Sequence, residues 1–334
     1  MPLTHSEPPV VPRHRALAPD LARGSMLALI ALAHSQVLAG HTIGPSGATG
    51  SGTDTAVQAV LTLFVDSRGY PMFAALFGYG MVQILRRQEP AGGWAHARRQ
   101  LRRRGLWMIV FGFAHTVLLF TGDILAAYGV LAVLLVGALR WRDGRLLAAA
   151  GAAAAVGALV YGAVLAAPIP AGDASEHLTD PFVSAAFRLA LFPVLTPMNA
   201  VMAAGPVLVG VWAARRRLLD EPDRHRLLLR RVAAVGVAVA VLGAVPQVLV
   251  TTGVWHPAPG ALLAVGALHT AAGYAGGLGY AALLGLLAAR LGAAARARPG
   301  GDRAQRVRAA LHDLLPGAAV ASACPARPRR CYAG

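Results

Sequence analysis

Charge is scarce in this chain, and one kind of it is missing. Charged residues make up 14% of the sequence, where a soluble domain carries about 25%. That deficit argues against an ordinary soluble enzyme. No lysine occurs, so all 31 cationic side chains are arginine. The absence, with the excess of Ala, Gly and Val, matches the codon bias of a GC-rich gene and carries no mechanism. Only two cysteines are present, Cys324 and Cys331, both in the last stretch, so no disulfide framework staples the fold. A P-loop, a nucleophile elbow and a zinc-ligand spacing are all lacking. No metal and no resident cofactor is therefore expected.

What is present is apolar and segregated. Hydrophobic residues reach 56%, and the arginines gather into short blocks: 13–23, 86–104, 140–145, 215–231 and 290 onward. Between the blocks lie stretches long enough to cross a bilayer core, which takes about 20 helical residues. The expected fold is all-α: a polytopic helical membrane protein with about eight transmembrane helices. The apolar runs place them near 25–40, 69–85, 106–121, 124–139, 146–167, 190–213, 232–252 and 261–289.

With the amino terminus in the cytoplasm and the spans alternating, 29 of the 31 arginines fall on the cytoplasmic side, all but Arg68 and Arg188. The outer loop at 168–181 instead carries Asp173, Glu176 and Asp180. This is the positive-inside pattern, and it places the chain in the cell membrane. A net charge of +16 on a soluble chain would suggest nucleic acid. Arginines flanking spans point to anionic lipid headgroups instead, so membrane lipids are the expected partners and nucleic acid is not. The oligomeric state is left open.

Three regions follow: a proline-rich cytoplasmic tail over 1–24, a helical bundle over 25–292, and a second cytoplasmic tail over 293–334. Removal of 25–40 as a signal peptide is the alternative for the start. His34, Ser35 and Gln36 interrupt the apolar run and favour a retained span. Small residues Gly151, Ala155, Gly157 and Gly162 suit close helix packing in the fifth span. Gly276-Gly277-Leu278-Gly279 has no preceding strand, so helix packing explains it better than nucleotide binding. The segment Asp220-Glu221-Pro222-Asp223 reads as a loop leading into a helix.

An Asp or Arg at the centre of a span costs about 2.5–3.5 kcal/mol on insertion scales, so ionisable residues in or beside spans need a reason. They are His34, Asp66, Arg68, His115, Asp123, Arg188 and His269. All belong to the outward half of the bundle, which points to an outward-facing polar cavity. Each also has a plain alternative: a helix contact for His269, an interfacial ion pair for Asp66 and Arg68, headgroup snorkelling for Arg188 and turn orientation for His115 and Asp123.

Several motifs resemble the YeiB-like family of bacterial inner-membrane proteins. They are Pro19-Asp20-Leu21-Ala22-Arg23-Gly24, Phe73-Ala74-Ala75-Leu76-Phe77-Gly78-Tyr79-Gly80, and Gly112-Phe113-Ala114-His115 followed by Gly122-Asp123-Ile124-Leu125 and Tyr128. Leu268-His269-Thr270, Gly273-Tyr274 and Gly279-Tyr280 are similar to that family's carboxy-terminal domain of unknown function. The likeness runs from about Asp20 to Leu291.

The family in turn distantly resembles transmembrane acyltransferases, which pass acyl groups from cytoplasmic acyl-CoA to outward-facing sugars. Those enzymes place ten residues between an Arg and a catalytic His, and Arg23 and His34 have that separation. The resemblance implies His34 as general base with Arg23, His115 and Asp123 in support. Asp66, Arg68 and His269 would then bind the substrate, with acyl-CoA as donor rather than as a resident cofactor. Many YeiB-like members carry Asn in place of His34, so a base there would be particular to this chain. A transporter or export component for a small polar solute, and a non-catalytic membrane scaffold, are the other classes the residues admit. The family continues into further spans where this chain has a Pro-, Arg- and Cys-rich end. Residues 303–334 are therefore expected to stem from a truncated or frameshifted gene.

Overall fold

The computed structural model describes residues 52–120, 123–167 and 180–297, with the isolated positions Gly24, Ala28, Ala31, Leu32 and Gln305. Arg23, His34, the cysteines and, apart from Gln305, the expected frameshifted end lie outside the described residues.

Seven helices make up the described residues, with no strand among them: α1 Gly52–Phe64, α2 Gly69–Leu118, α3 Leu125–Leu134, α4 Asp143–Ala166, α5 Pro181–Arg215, α6 Arg226–Thr251 and α7 Pro259–Ala297. A 3-10 turn, Leu135–Arg140, extends α3. Four helices, α4 to α7, are long and apolar enough to cross a membrane, and α3 with its extension is a shorter apolar helix. Their outward faces carry large apolar side chains such as Phe182, Val235 and Leu242. A water-soluble monomer seldom shows so much apolar surface, and lipid is the solvent that suits it.

Helix α2 is two helices joined at a reversal. Gly92 and Gly93 leave helical geometry, and Gly93 takes φ +69°, a left-handed conformation that an L side chain rarely adopts. Tyr128 of α3 lies on Phe73 and Phe77 while Arg140 reaches Glu89, so the first half of α2 runs alongside α3. Gly112 packs on Ala126 and Gly105 on Gly129, so the second half runs against it. The second and third expected spans are thus the two arms of one hairpin, with the arginines of 86–104 at its bend.

Bare backbone makes the closest crossings. A Cβ on Gly78 would sit 2.0 Å from the Val207 carbonyl oxygen, and one on Gly210 would sit 1.9 Å from that of Ala75. Between these contacts α2 and α5 enclose a core containing Tyr79, Val82, Val207 and Val211. In α4 the small-residue reading holds only in part. Gly157 and Gly162 pack against α5 and α7, but Gly151 and Ala155 are exposed.

Arginines from three of the blocks, 86–104, 140–145 and 215–231, meet at one end of the bundle. Arg215 and Arg216 grip Asp143, Arg86 reaches Asp220, and Arg140 pairs with Glu89. Arg215 also donates to the carbonyls of Ala138 and Trp141. The acidic segment 220–223 is indeed a loop preceding a helix. Glu221 there accepts from Arg217 and Arg224, and the Arg217 hydrogen bond does most to hold its carboxyl below the usual range. Arg140 lies over Trp94 and Arg145 over Trp141, each 4.5 Å from the ring centroid.

Candidate functional site

A turn links α1 to α2, and its geometry sets the site. The N–H groups of Val65 and Asp66 both donate to Leu61, which leaves later carbonyls of α1 unclaimed. Ser67 then adopts a left-handed φ of +57°, which turns the chain into α2. Gly273, Gly276 and Gly277 of α7 form the notch that receives this turn. A Cβ on Gly273 would fall 2.2 Å from the Ser67 carbonyl oxygen, and one on Gly277 would fall 2.7 Å from Met72 N. The Gly276-Gly277 motif is a packing device, as its sequence context indicates.

Inside the notch Arg68 is wholly buried, which places it deeper than the interfacial ion pair that sequence reading allows. Its Nη1 donates to the Thr62 carbonyl at 2.9 Å and to that of Asp66, while Nη2 donates to the Ala240 carbonyl of α6 at 2.6 Å. Tyr280 caps the same helix end by donating to the Phe64 carbonyl at 2.8 Å. A guanidinium at a helix C-terminus also meets the negative end of the helix dipole. These partners make a buried arginine tolerable.

His269 of α7 lies beside it, with Nε2 at 3.5 Å from Arg68 Nη1 and only 1% exposure. Tyr161 of α4 tilts over the imidazole with ring centroids 6.3 Å apart. Tyr70 meets Tyr274 edge-on at 6.1 Å, and Tyr274 donates to the Met202 carbonyl at 2.8 Å. Arg68 Nε, His269 Nδ1, Thr270 Oγ1 and Gln247 Oε1 are buried without a protein hydrogen-bond partner among the described residues. Buried polar atoms are nearly always satisfied, so Arg68 Nε and His269 Nδ1, on side chains that meet in the notch, call for a polar occupant.

The structure thus brings together Arg68 and His269, with Asp66 on the turn between them and α1. It also brings together His115 and Asp123, as a second pair. Asp123 Oδ1 is 3.1 Å from His115 Nδ1, and Asp123 Oδ2 accepts from Ala126 N–H at 2.9 Å in the first turn of α3. Asp123 is nearly buried while His115 is 43% exposed, so this pair lies open at the hairpin end. Gly112 makes the contact feasible, since a Cβ there would meet Asp123 Oδ2 at 2.7 Å. Tyr128 connects the two regions by donating to the Tyr70 carbonyl at 3.2 Å.

Sequence reading overlooked Tyr161 and Tyr274 as members of the site. Their signal was polarity well inside a span, which the focus on ionisable groups passed over. Beside the cluster, along α6 and α7, runs an open apolar groove of about 630 Å³ lined by residues including Pro246, Trp255, Val265 and Leu268. No group of three or more metal-ligating side chains occurs among the described residues.

Comparison with known proteins finds a family match over part of the carboxy-terminal region. Residues 213–299 match the family described as "Protein of unknown function (DUF418)", the YeiB-like family that the motifs resemble. A 226-residue stretch is 26% identical to the "Uncharacterized protein YxaH" of Bacillus subtilis (strain 168), covering 57% of this chain and 54% of that protein. The match therefore spans about half the length of that relative. No solved structure matches the chain. The α6–α7 pair that supplies Ala240 and His269 to the cluster lies inside the matched region.

Proposed function

We propose that the chain is an eight-span protein of the plasma membrane, amino terminus in the cytoplasm, that transfers an acyl group from cytoplasmic acyl-CoA to an outward-facing envelope acceptor. The observation that carries the site is the buried Arg68–His269 contact, with an unpartnered nitrogen on each side chain in an apolar bundle. Arg68, His269 and Asp66 bind the acceptor's polar part. The adjacent apolar groove supports an acyl substrate over a purely polar solute, because Leu268 and Val265 line it within one turn of His269. His34, with ten residues between it and Arg23, acts as the base that takes the acceptor's proton as its oxygen attacks the thioester, and passes that proton to the CoA sulfur as the carbon–sulfur bond breaks. His115 and Asp123 order the hairpin beside the cavity.

A transport role is the second reading, and Pro193, Pro197 and Pro206 within α5 favour it as points where a helix can bend. The test is acyl-CoA turnover by the purified full chain in lipid nanodiscs with a sugar acceptor. Turnover that falls about 10²–10⁴-fold in His34→Ala supports the enzyme. Full activity in His34→Asn would make that residue a hydrogen-bonding group instead of a base. No turnover, together with solute uptake by proteoliposomes, would replace the enzyme with a transporter; neither activity would leave a scaffold.

A further inference from the structure

At the arginine-rich end the first turns of α6 and the last turns of α7 diverge around a cavity of about 140 Å³. Arg226 and Arg230 line it from α6, four residues apart and so on one helical face. Arg290 lines it from α7, next to Ala289 and one turn from Leu286. Asp223 is the one acid in the lining, so the cavity keeps a net charge of about +2. The neighbouring acid Glu221 is engaged by Arg217 and Arg224 and leaves these three arginines alone.

We propose that this cavity is a binding site for the phosphate of an anionic phospholipid headgroup. Its volume suits a phosphate group and little more. Guanidinium forks match phosphate oxygens in paired hydrogen bonds. Leu286 and Ala289 give the wall an apolar side where the glycerol and first methylenes would lie. Both helices are candidate membrane spans, and the cavity is at their ends, the depth at which headgroups sit. A uniform arginine surface would follow from topology alone, whereas here a partly enclosed cavity between two helices gathers three exposed arginines around one site. This inference does not depend on the acyl-transfer reading.

The experiment uses the full chain, delipidated in neutral detergent and then placed in nanodiscs of phosphatidylcholine with or without phosphatidylglycerol. Native mass spectrometry counts retained lipid, and tryptophan emission follows thermal unfolding. Phosphatidylglycerol is expected to be retained and to raise the melting temperature. The double variant Arg226→Gln with Arg290→Gln should lose roughly 30-fold in affinity. Ala289→Leu, which fills the cavity without altering charge, should also lose retention. Arg102→Gln with Arg103→Gln, the same charge change on the exposed arm of α2, should not. Equal retention of phosphatidylcholine, or equal loss in the Arg102 and Arg103 control, would overturn the proposal. Stabilisation by inorganic phosphate alone that matches the lipid effect would assign the cavity to a soluble phosphate and overturn the lipid source.

Discussion

Replacing Arg68 by Met separates what this residue does for the fold from what it does for a ligand. The substitution keeps the length and removes every donor. It leaves the Thr62 carbonyl, whose helical donors are both committed to Leu61, buried without a partner. It also releases the Ala240 carbonyl, untying α1 from α6. A buried acceptor left unsatisfied costs about 1–3 kcal/mol, and losing the hydrogen bond to Ala240, whose carbonyl keeps its helical donor, adds about 1 kcal/mol, for roughly 2–4 kcal/mol in all. For a protein of this size that is a fall in melting temperature on the order of 5–15 °C. Arg68→Lys should recover little, since one ammonium cannot span the α1 and α6 carbonyls that two guanidinium nitrogens reach. The assay is tryptophan emission on heating, with monodispersity by size exclusion. An Arg68→Met protein that melts within a degree or two of the parent would refute the capping role. Its guanidinium would then be held for a ligand at no structural benefit.

Three further outcomes are expected. Asp123→Ala should cost about 1 kcal/mol through loss of the cap on Ala126, whereas Asp123→Asn keeps the cap and melts like the parent; equal destabilisation by both would show that charge on His115 is the larger effect. Gly210→Val should cost at least about 1–3 kcal/mol and lower the amount of folded protein in membranes, because the Ala75 carbonyl blocks the new side chain; normal accumulation would mean that α2 and α5 sit farther apart. A reporter fused after Arg104 should read cytoplasmic and one inserted at Asp173 external, and a reversed pattern would overturn the orientation.

Much of this was legible in the arginines. Their clustering marked out long apolar helices, four of which are long enough to span a membrane, and arginines from the blocks at 86–104, 140–145 and 215–231 meet at one end. In the hairpin motif Gly112, His115 and Asp123 come together because α2 and α3 run against each other. What sequence could not show was depth. Asp66 and Arg68 precede a span, which ordinarily means an interface, but three glycines on α7, about 200 residues later, open the notch that draws the turn inward. Likewise Gly151 and Gly157 look alike in sequence, and only the neighbouring helices decide which of them meets a partner.

The ion pairs at the arginine-rich end bear on the order in which the molecule is put together. Each joins a loop made early to one made later: Glu89 to Arg140, Asp143 to Arg215 and Arg216, Arg86 to Asp220. During synthesis from the amino terminus, the first of these can close once α3 has emerged. The others must wait for the far end of α5. Until then Asp143 has only water and headgroups for company, and the α2 hairpin remains free to shift against its neighbours. Completion of α5 is therefore the event that fastens this end, and a chain halted before Arg215 would hold helices without the clasp between them.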